Sequence, residues 1–184
     1  MKKIILASSS PRRRELMTTA GQEFEVIVKD VDESIPEGTA PVDAAKMTAR
    51  KKALAVAEEY PENTVIGADT IVVAGEKILG KPADRADACR MLRMLSGKAH
   101  EVITGVCIVC GEKLENFAQV SKVKFYELTD EEIEAYVDTN EPMDKAGAYG
   151  IQGKGCVLVE KIEGDYFNIV GLPVAEVVRK LKLF

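Results

Sequence analysis

Short apolar runs rich in β-branched residues alternate with helix-forming segments along the chain, and that alternation restricts it to an α/β architecture. "KKIILAS" reads as a first strand, and residues 11–20 as a helix opened by Ser10 and Pro11. "FEVIV" is a second strand running into an acidic loop, "KDVDESIPEGT". Residues 41–59 form a long alanine-rich helix with Pro41 in its first turn. "TVIGADTIVV" is a strong strand, and "AGEKILGKP" a turn with a short return strand. Asp84 starts another helix that ends near Gly97. "HEVITGVCIVC" and "LENFAQVSKVKFYEL" suit an antiparallel pair, and "TDEEIEAYVDT" has a threonine N-cap over an acidic first turn. A glycine-rich loop, two short strands in "CVLVEKIEG" and "DYFNIVG", and a helix from Pro173 complete the chain. The expected sheet is mixed, with flanking helices.

Composition narrows the function classes. A chain of 184 residues suits a single domain, 1–184, in one or two lobes. Its net charge of −5 argues against a nucleic-acid binder, which needs a broad basic surface. No apolar run approaches the roughly 18–20 residues of a membrane span. "MKKIILASSS" lacks the apolar stretch of a signal peptide, so a cytoplasmic location is expected. Cys107 and Cys110 form a C-x-x-C, but in a strand they point to opposite faces, which favours buried structural cysteines over zinc. Oligomeric state is left open, a homodimer included.

Three features carry chemistry. In "SSSPRRREL" a strand delivers serine hydroxyls, a helix start and arginines to one place, which suits an anion. A plain capped helix with a basic face shares those signals, so both readings stay open. Asp69 sits within "VIGADTIVV", where a carboxylate is costly unless compensated; a metal ligand or general base fits, as does a solvent-facing aspartate. Lys81 in "LGKP" is a candidate phosphate contact, and Asp30, Asp32 and Glu33 supply hard oxygens suited to Mg²⁺ or Mn²⁺. The third feature, "DKAGAYGIQGKG", is not a P-loop, because Ala148 and Gly155 stand where that motif needs Gly and Ser or Thr. Gln152 in this loop can donate and accept, as reading a nucleobase edge requires, though a plain glycine-rich turn fits the spacing equally.

The ordered segments "LASSSPRRREL", "GADTIV", "LGKP", "MLRMLSGKAHEVITGV", "EPMDKAGAYGIQG" and "VGLP" resemble the Maf family of nucleoside triphosphate pyrophosphatases along nearly the whole chain. The resemblance implies a mixed α/β fold of two lobes around a cleft, shared with the inosine triphosphatases. It implies hydrolysis of a nucleoside triphosphate to monophosphate and pyrophosphate with a divalent metal, Mg²⁺ or Mn²⁺. Asp69 would accept the proton of the attacking water. Ser8, Arg12, Arg13, Lys52 and Lys81 would hold the triphosphate, and Glu33 with Asp69 the metal. Arg12, Thr70 and Gln152 match the subgroup that acts on dTTP and UTP. Family members are also associated with cell-division arrest.

The chemistry stands without the family name. Phosphoryl attack needs charge neutralisation and an oriented water more than a covalent nucleophile. Serine acyl transfer is disfavoured, with no G-x-S-x-G elbow and His100 the one histidine. Two rivals remain at this stage: a nucleotide-sensing regulatory module, which would need no base at Asp69, and a hydrolase of deaminated purine triphosphates.

Overall fold

The computed structural model describes residues 3–184. Lys2, counted in the expected first strand, lies outside them. The elements run β1 (Ile4–Ala7), α1 (Pro11–Thr19), β2 (Phe24–Val26), α2 (Pro41–Ala57), β3 (Thr64–Ala74), β4 (Lys77–Leu79), α3 (Arg85–Leu95), β5 (Ala99–Cys110), β6 (Lys113–Phe125), α4 (Asp130–Val137), β7 (Val159–Glu163), α5 (Tyr166–Val170) and α6 (Val174–Leu181). Among the described residues the strands form one seven-stranded sheet, in the order β2-β1-β3-β5-β6-β7 with β4 beside β3. β1 is parallel to β2 and β3, whereas β4 and β7 are antiparallel to β3 and β6. The expected mixed α/β sheet is therefore present. Among the same residues, no helix is long and apolar enough to cross a membrane.

The chain divides into two compact units. The first holds the residues up to Thr70, then Thr104–Gln119 and Gly171–Phe184; the second holds Ile71–Ile103 and Val120–Val170. In the first unit, Ile5, Ala7, Val65, Cys107 and Val109 form a core with Ala49, Ala53 and Val56 of α2. Alanines are what let this helix approach so closely. A Cβ at Gly67 of β3 would lie 2.3 Å from the Ala49 carbonyl oxygen and 2.7 Å from the Ala53 nitrogen. One at Gly105 of β5 would lie 2.3 Å from the Ala45 carbonyl oxygen. Helix backbone thus rests on strand backbone at two glycines, and neither side has room to give.

In the second unit, α3 buries Ala88, Cys89, Met91, Leu92 and Leu95, and Asp84 caps it by accepting from the Asp87 amide at 2.8 Å. Thr129 and Glu132 close a capping box at the start of α4. His100 lies edge-on to Phe125 and Tyr149, with Nε2 2.7 Å from the Tyr149 hydroxyl. Burial pushes the ring down to about 4, so it is neutral at pH 7.

The structure departs from the sequence reading in two places here. The segment from Glu141 to Leu158 makes three 3₁₀ turns, so the strand expected in "CVLVEKIEG" begins only at Val159. "DYFNIVG" is not a strand but contains α5. The Asp165 carboxylate accepts from the Phe167 amide at 2.8 Å, and the buried Asn168 amide donates to the Val102 carbonyl and the Ser121 hydroxyl. Those two anchors outweigh the strand preference of the aromatic and β-branched residues around them. Of the cysteines, Cys89, Cys107 and Cys110 are buried as expected, while Cys156 is exposed.

The helix-on-glycine contact makes a sharp prediction. Gly67→Ala puts a methyl group into main-chain atoms that cannot swing aside, and should lower stability by about 3 kcal/mol. Urea unfolding of parent and variant checks this; an unchanged midpoint would mean that α2 does not lie so close to β3.

Candidate active site

Parallel pairing places Ala7 opposite Gly67, so the chain leaving β1 turns at the level of Ala68–Thr70 on β3. Pro11 begins α1 at once after this turn, and Ser10 occupies the cap position without a side-chain cap bond. Ser8 is buried, and its oxygen accepts from the Ser10 amide at 3.3 Å and from Arg13 Nη1 at 3.0 Å. With both lone pairs used, its hydroxyl proton remains to be donated, which suits an anion at this turn better than a plain capped helix.

Arg13 is buried, and its guanidinium is directed at the protein itself. Nε donates to the Gly171 carbonyl at 2.7 Å, Nη1 to Ser8 Oγ and to the Ala68 carbonyl at 2.9 Å, and Nη2 to Thr70 Oγ1 at 3.0 Å. Four of the five N–H groups of an arginine are thus committed. Burial pushes the group down to about 10 while the Asp69 carboxylate opposes that shift, so it stays charged at neutral pH. This modifies the expectation that Arg13 grips phosphate directly: its donors organise Ser8 and Thr70. Arg12, its neighbour on α1, is only partly buried.

Two residues of this network were not singled out in the sequence. Thr104 on β5 is fully buried, with its hydroxyl oxygen 2.9 Å from Thr70 Oγ1. Gly171 turns with φ +133°, a conformation open to glycine, and its carbonyl also lies 3.3 Å from Thr70 Oγ1. A hydroxyl inside the apolar run "HEVITGV" is the same kind of signal that exposed Asp69, so Thr104 was findable; the φ of Gly171 was not.

Asp69 is neither fully buried nor solvent-facing. Its side chain is 18% exposed, and Oδ1 accepts from Lys52 Nζ at 2.8 Å. Lys52 also lies 3.1 Å from Glu33 Oε1, so one ammonium holds two carboxylates. α2 brings Lys52 there because its alanine face is seated against Gly67, two residues before Asp69. Glu33 is presented by a tied loop: Asp32 accepts from the Ser34 amide and hydroxyl, and Lys51 donates to the Asp32 and Ser34 carbonyls at 2.9 and 2.8 Å. Asp32 is thereby engaged within its own loop.

Ser8, Arg12, Arg13, Glu33, Lys52, Asp69 and Thr70 all belong to the first unit, and Lys81 and Gln152 to the second. Lys81 is exposed beyond β4, next to Gly80, whose carbonyl accepts from the Gly147 amide at 3.0 Å. Gln152 is exposed in the turn between the second and third 3₁₀ segments.

The donor set suits a hard divalent cation. Glu33 and Asp69 already share one cationic group, Lys52, and carboxylate oxygens match Mg²⁺ or Mn²⁺. Among the described residues no group of three or more His, Cys, Asp or Glu is placed to hold a metal. Such an ion would therefore be completed by substrate phosphates and water, as is usual for Mg²⁺.

Comparison with known proteins identifies the family. The family profile described as Maf-like protein matches residues 3–184. A protein of Bacillus cytotoxicus named dTTP/UTP pyrophosphatase is 54% identical over 184 residues, covering 100% of this chain and 96% of the relative. A Bacillus anthracis protein of the same name is 53% identical over the same span and coverage. The solved structure of a HAM1 protein from Coxiella burnetii aligns over 100% of both chains with a TM-score of 0.52 at 15% identity, which is a likeness of fold alone.

The Arg13 network can be tested directly. In Arg13→Lys the charge is kept, but one ammonium cannot span four acceptors, and those left unpaired cost about 1–3 kcal/mol each. The expected outcome is a loss of about 3 kcal/mol in urea unfolding. An unchanged unfolding midpoint combined with weakened triphosphate binding would make Arg13 a direct phosphate contact instead.

Proposed function

Because the chain belongs to the Maf family, we propose that it hydrolyses dTTP and UTP to the monophosphate and pyrophosphate, with Asp69 as general base. The observation that carries the reading is the Lys52-held carboxylate of Asp69, set in a strand beside the Ser8–Arg13–Thr70 network. Oδ1 of Asp69 is tied to Lys52, which leaves Oδ2 to take the proton of a water attacking phosphorus. Lys52 pairs with Asp69 and places positive charge where triphosphate charge accumulates. Ser8 donates its remaining proton to a phosphate oxygen, and Arg12 and Lys81 add cationic donors. Glu33 and Asp69 would hold Mg²⁺ or Mn²⁺, which when bound neutralises phosphate charge and orients the leaving group.

Substrate choice rests on Arg12, Thr70 and Gln152. Thr70 is fixed by Arg13, Thr104 and Gly171, so its hydroxyl cannot reorient to suit a different base. A site whose polar groups are held in place penalises any base that leaves them unpaired, by as much as about 10⁴-fold. The names of the relatives at 53–54% identity support a pyrimidine preference. A cytoplasmic location agrees with this substrate class.

The decisive assay is pyrophosphate release from dTTP, UTP, CTP, GTP, 7-methyl-GTP and ITP. kcat/KM should be highest for dTTP and UTP. A preference for ITP or 7-methyl-GTP would overturn the pyrimidine assignment, and binding without turnover on every nucleotide would return the chain to a sensor.

A further inference from the structure

The glycine-rich loop fits no phosphate-binding pattern, yet three of its glycines, Gly150, Gly153 and Gly155, are crowded by the side chains of Lys145, Glu141 and Tyr136, while Gly147 lies against Val72. The Glu141 carboxylate accepts from the Lys154 amide at 2.9 Å and the Gly155 amide at 3.2 Å, and from the Tyr136 hydroxyl at 3.0 Å. Tyr136 in turn accepts from the Gly150 amide at 3.0 Å. A Cβ at Gly153 would lie 2.5 Å from Glu141 Oε2, one at Gly155 2.7 Å from the Tyr136 hydroxyl oxygen, and one at Gly150 2.7 Å from Lys145 Cε. The backbone of residues 150–155 is therefore wrapped around Glu141 and Tyr136, and only glycine permits that approach.

Gln152 stands between the pinned amides, with Gly150 held on one side and Lys154 and Gly155 on the other. Glycine-rich backbone is the costliest to order, so an exposed Gln152 on an untied loop would lose much of its discrimination to conformational entropy. Burial pushes the Glu141 carboxyl up, but the two amides, the Tyr136 hydroxyl and Lys145 together hold it below the ordinary value. It is ionised at neutral pH, and bonds to an ionised acceptor are about twice as strong as neutral ones. Lys145 completes the knot by donating to the Glu141 carbonyl at 2.6 Å.

We propose that Glu141, with Tyr136, is the positioning residue for base selection: it sets the loop backbone so that Gln152 presents its amide in one orientation. The inference rests on Gln152 reading the base. Glu141→Gln keeps shape but replaces one acceptor oxygen by a donor that faces backbone N–H groups. Its dTTP-over-GTP preference should fall about tenfold, mainly through KM for dTTP, since a base contact is made in ground and transition states alike.

The test is a double-mutant cycle on kcat/KM for dTTP and GTP, with thermal unfolding measured in parallel. In a Gln152→Ala background, Glu141→Gln should change the preference less than twofold while lowering the unfolding temperature as much as it does alone. Tyr136→Phe, which leaves the Glu141 carboxylate and its bonds to the Lys154 and Gly155 amides in place and removes the hydroxyl that joins Glu141 to the Gly150 amide, should show the same pattern at smaller size, and serves if Glu141→Gln does not fold. Equal losses for both nucleotides that add to those of Gln152→Ala would make Glu141 merely structural and overturn the proposal. If Gln152→Ala erodes the preference and neither Glu141→Gln nor Tyr136→Phe does, the proposal alone falls. If Gln152→Ala leaves the preference intact, the base-reading role and the proposal fall together.

Discussion

One buried guanidinium holds the site together. Arg13 reaches the turn after β1 through Ser8, β3 through Ala68 and Thr70, and the segment before α6 through Gly171. These pieces come from distant parts of the sequence, and the one guanidinium joins them all. A buried cation is costly when unpaired, so the acceptors must be in place for the fold to close. Stability and site geometry are thereby the same requirement. An arginine read from the sequence as a phosphate ligand does more by holding others than by reaching outward.

The second constraint is steric. Glycines on β3 and β5 and alanines on α2 let a helix lie directly on the sheet, and this sets Lys52 against Asp69. A wider helix–sheet spacing would carry the ammonium away from the carboxylate and leave Asp69 uncompensated in its strand. Lys52 bridges Asp69 and Glu33, so the positive charge that pairs with the base also gathers the oxygens suited to a metal. Packing in the core thus determines the electrostatics at the surface of the sheet.

Much of this was legible in the sequence, and the exceptions have physical causes. The strand–helix alternation and the mixed sheet followed from periodicity, and Asp69 stood out because a carboxylate in a β-branched run demands a partner. Arg12 and Arg13 do different work because adjacent helical residues point about 100° apart. Which of them faces inward depends on how α1 lies against the sheet, and no local pattern states that. Thr104 was passed over because a threonine is at home in a strand. The five residues of α5 are too few for helical periodicity to show, and their anchors, Val102 and Ser121, are far away in sequence. The wrapping of the glycine-rich loop around Glu141 and Tyr136 was equally hidden, since only the folded chain brings those residues to Gly150, Gly153 and Gly155.

The central claim is that Asp69 moves the proton while other residues hold the triphosphate. Asp69→Asn keeps the shape of the side chain and removes its basicity, so it separates the two directly. Turnover of dTTP should fall by about 10²–10⁴-fold. The dissociation constant for dTTP, measured calorimetrically on the same variant in EDTA so that the loss of a metal ligand does not enter, should stay the same or tighten, because a negative charge facing phosphates has been removed. A variant that keeps near-parental turnover, or that loses dTTP binding in proportion to turnover, would contradict the account.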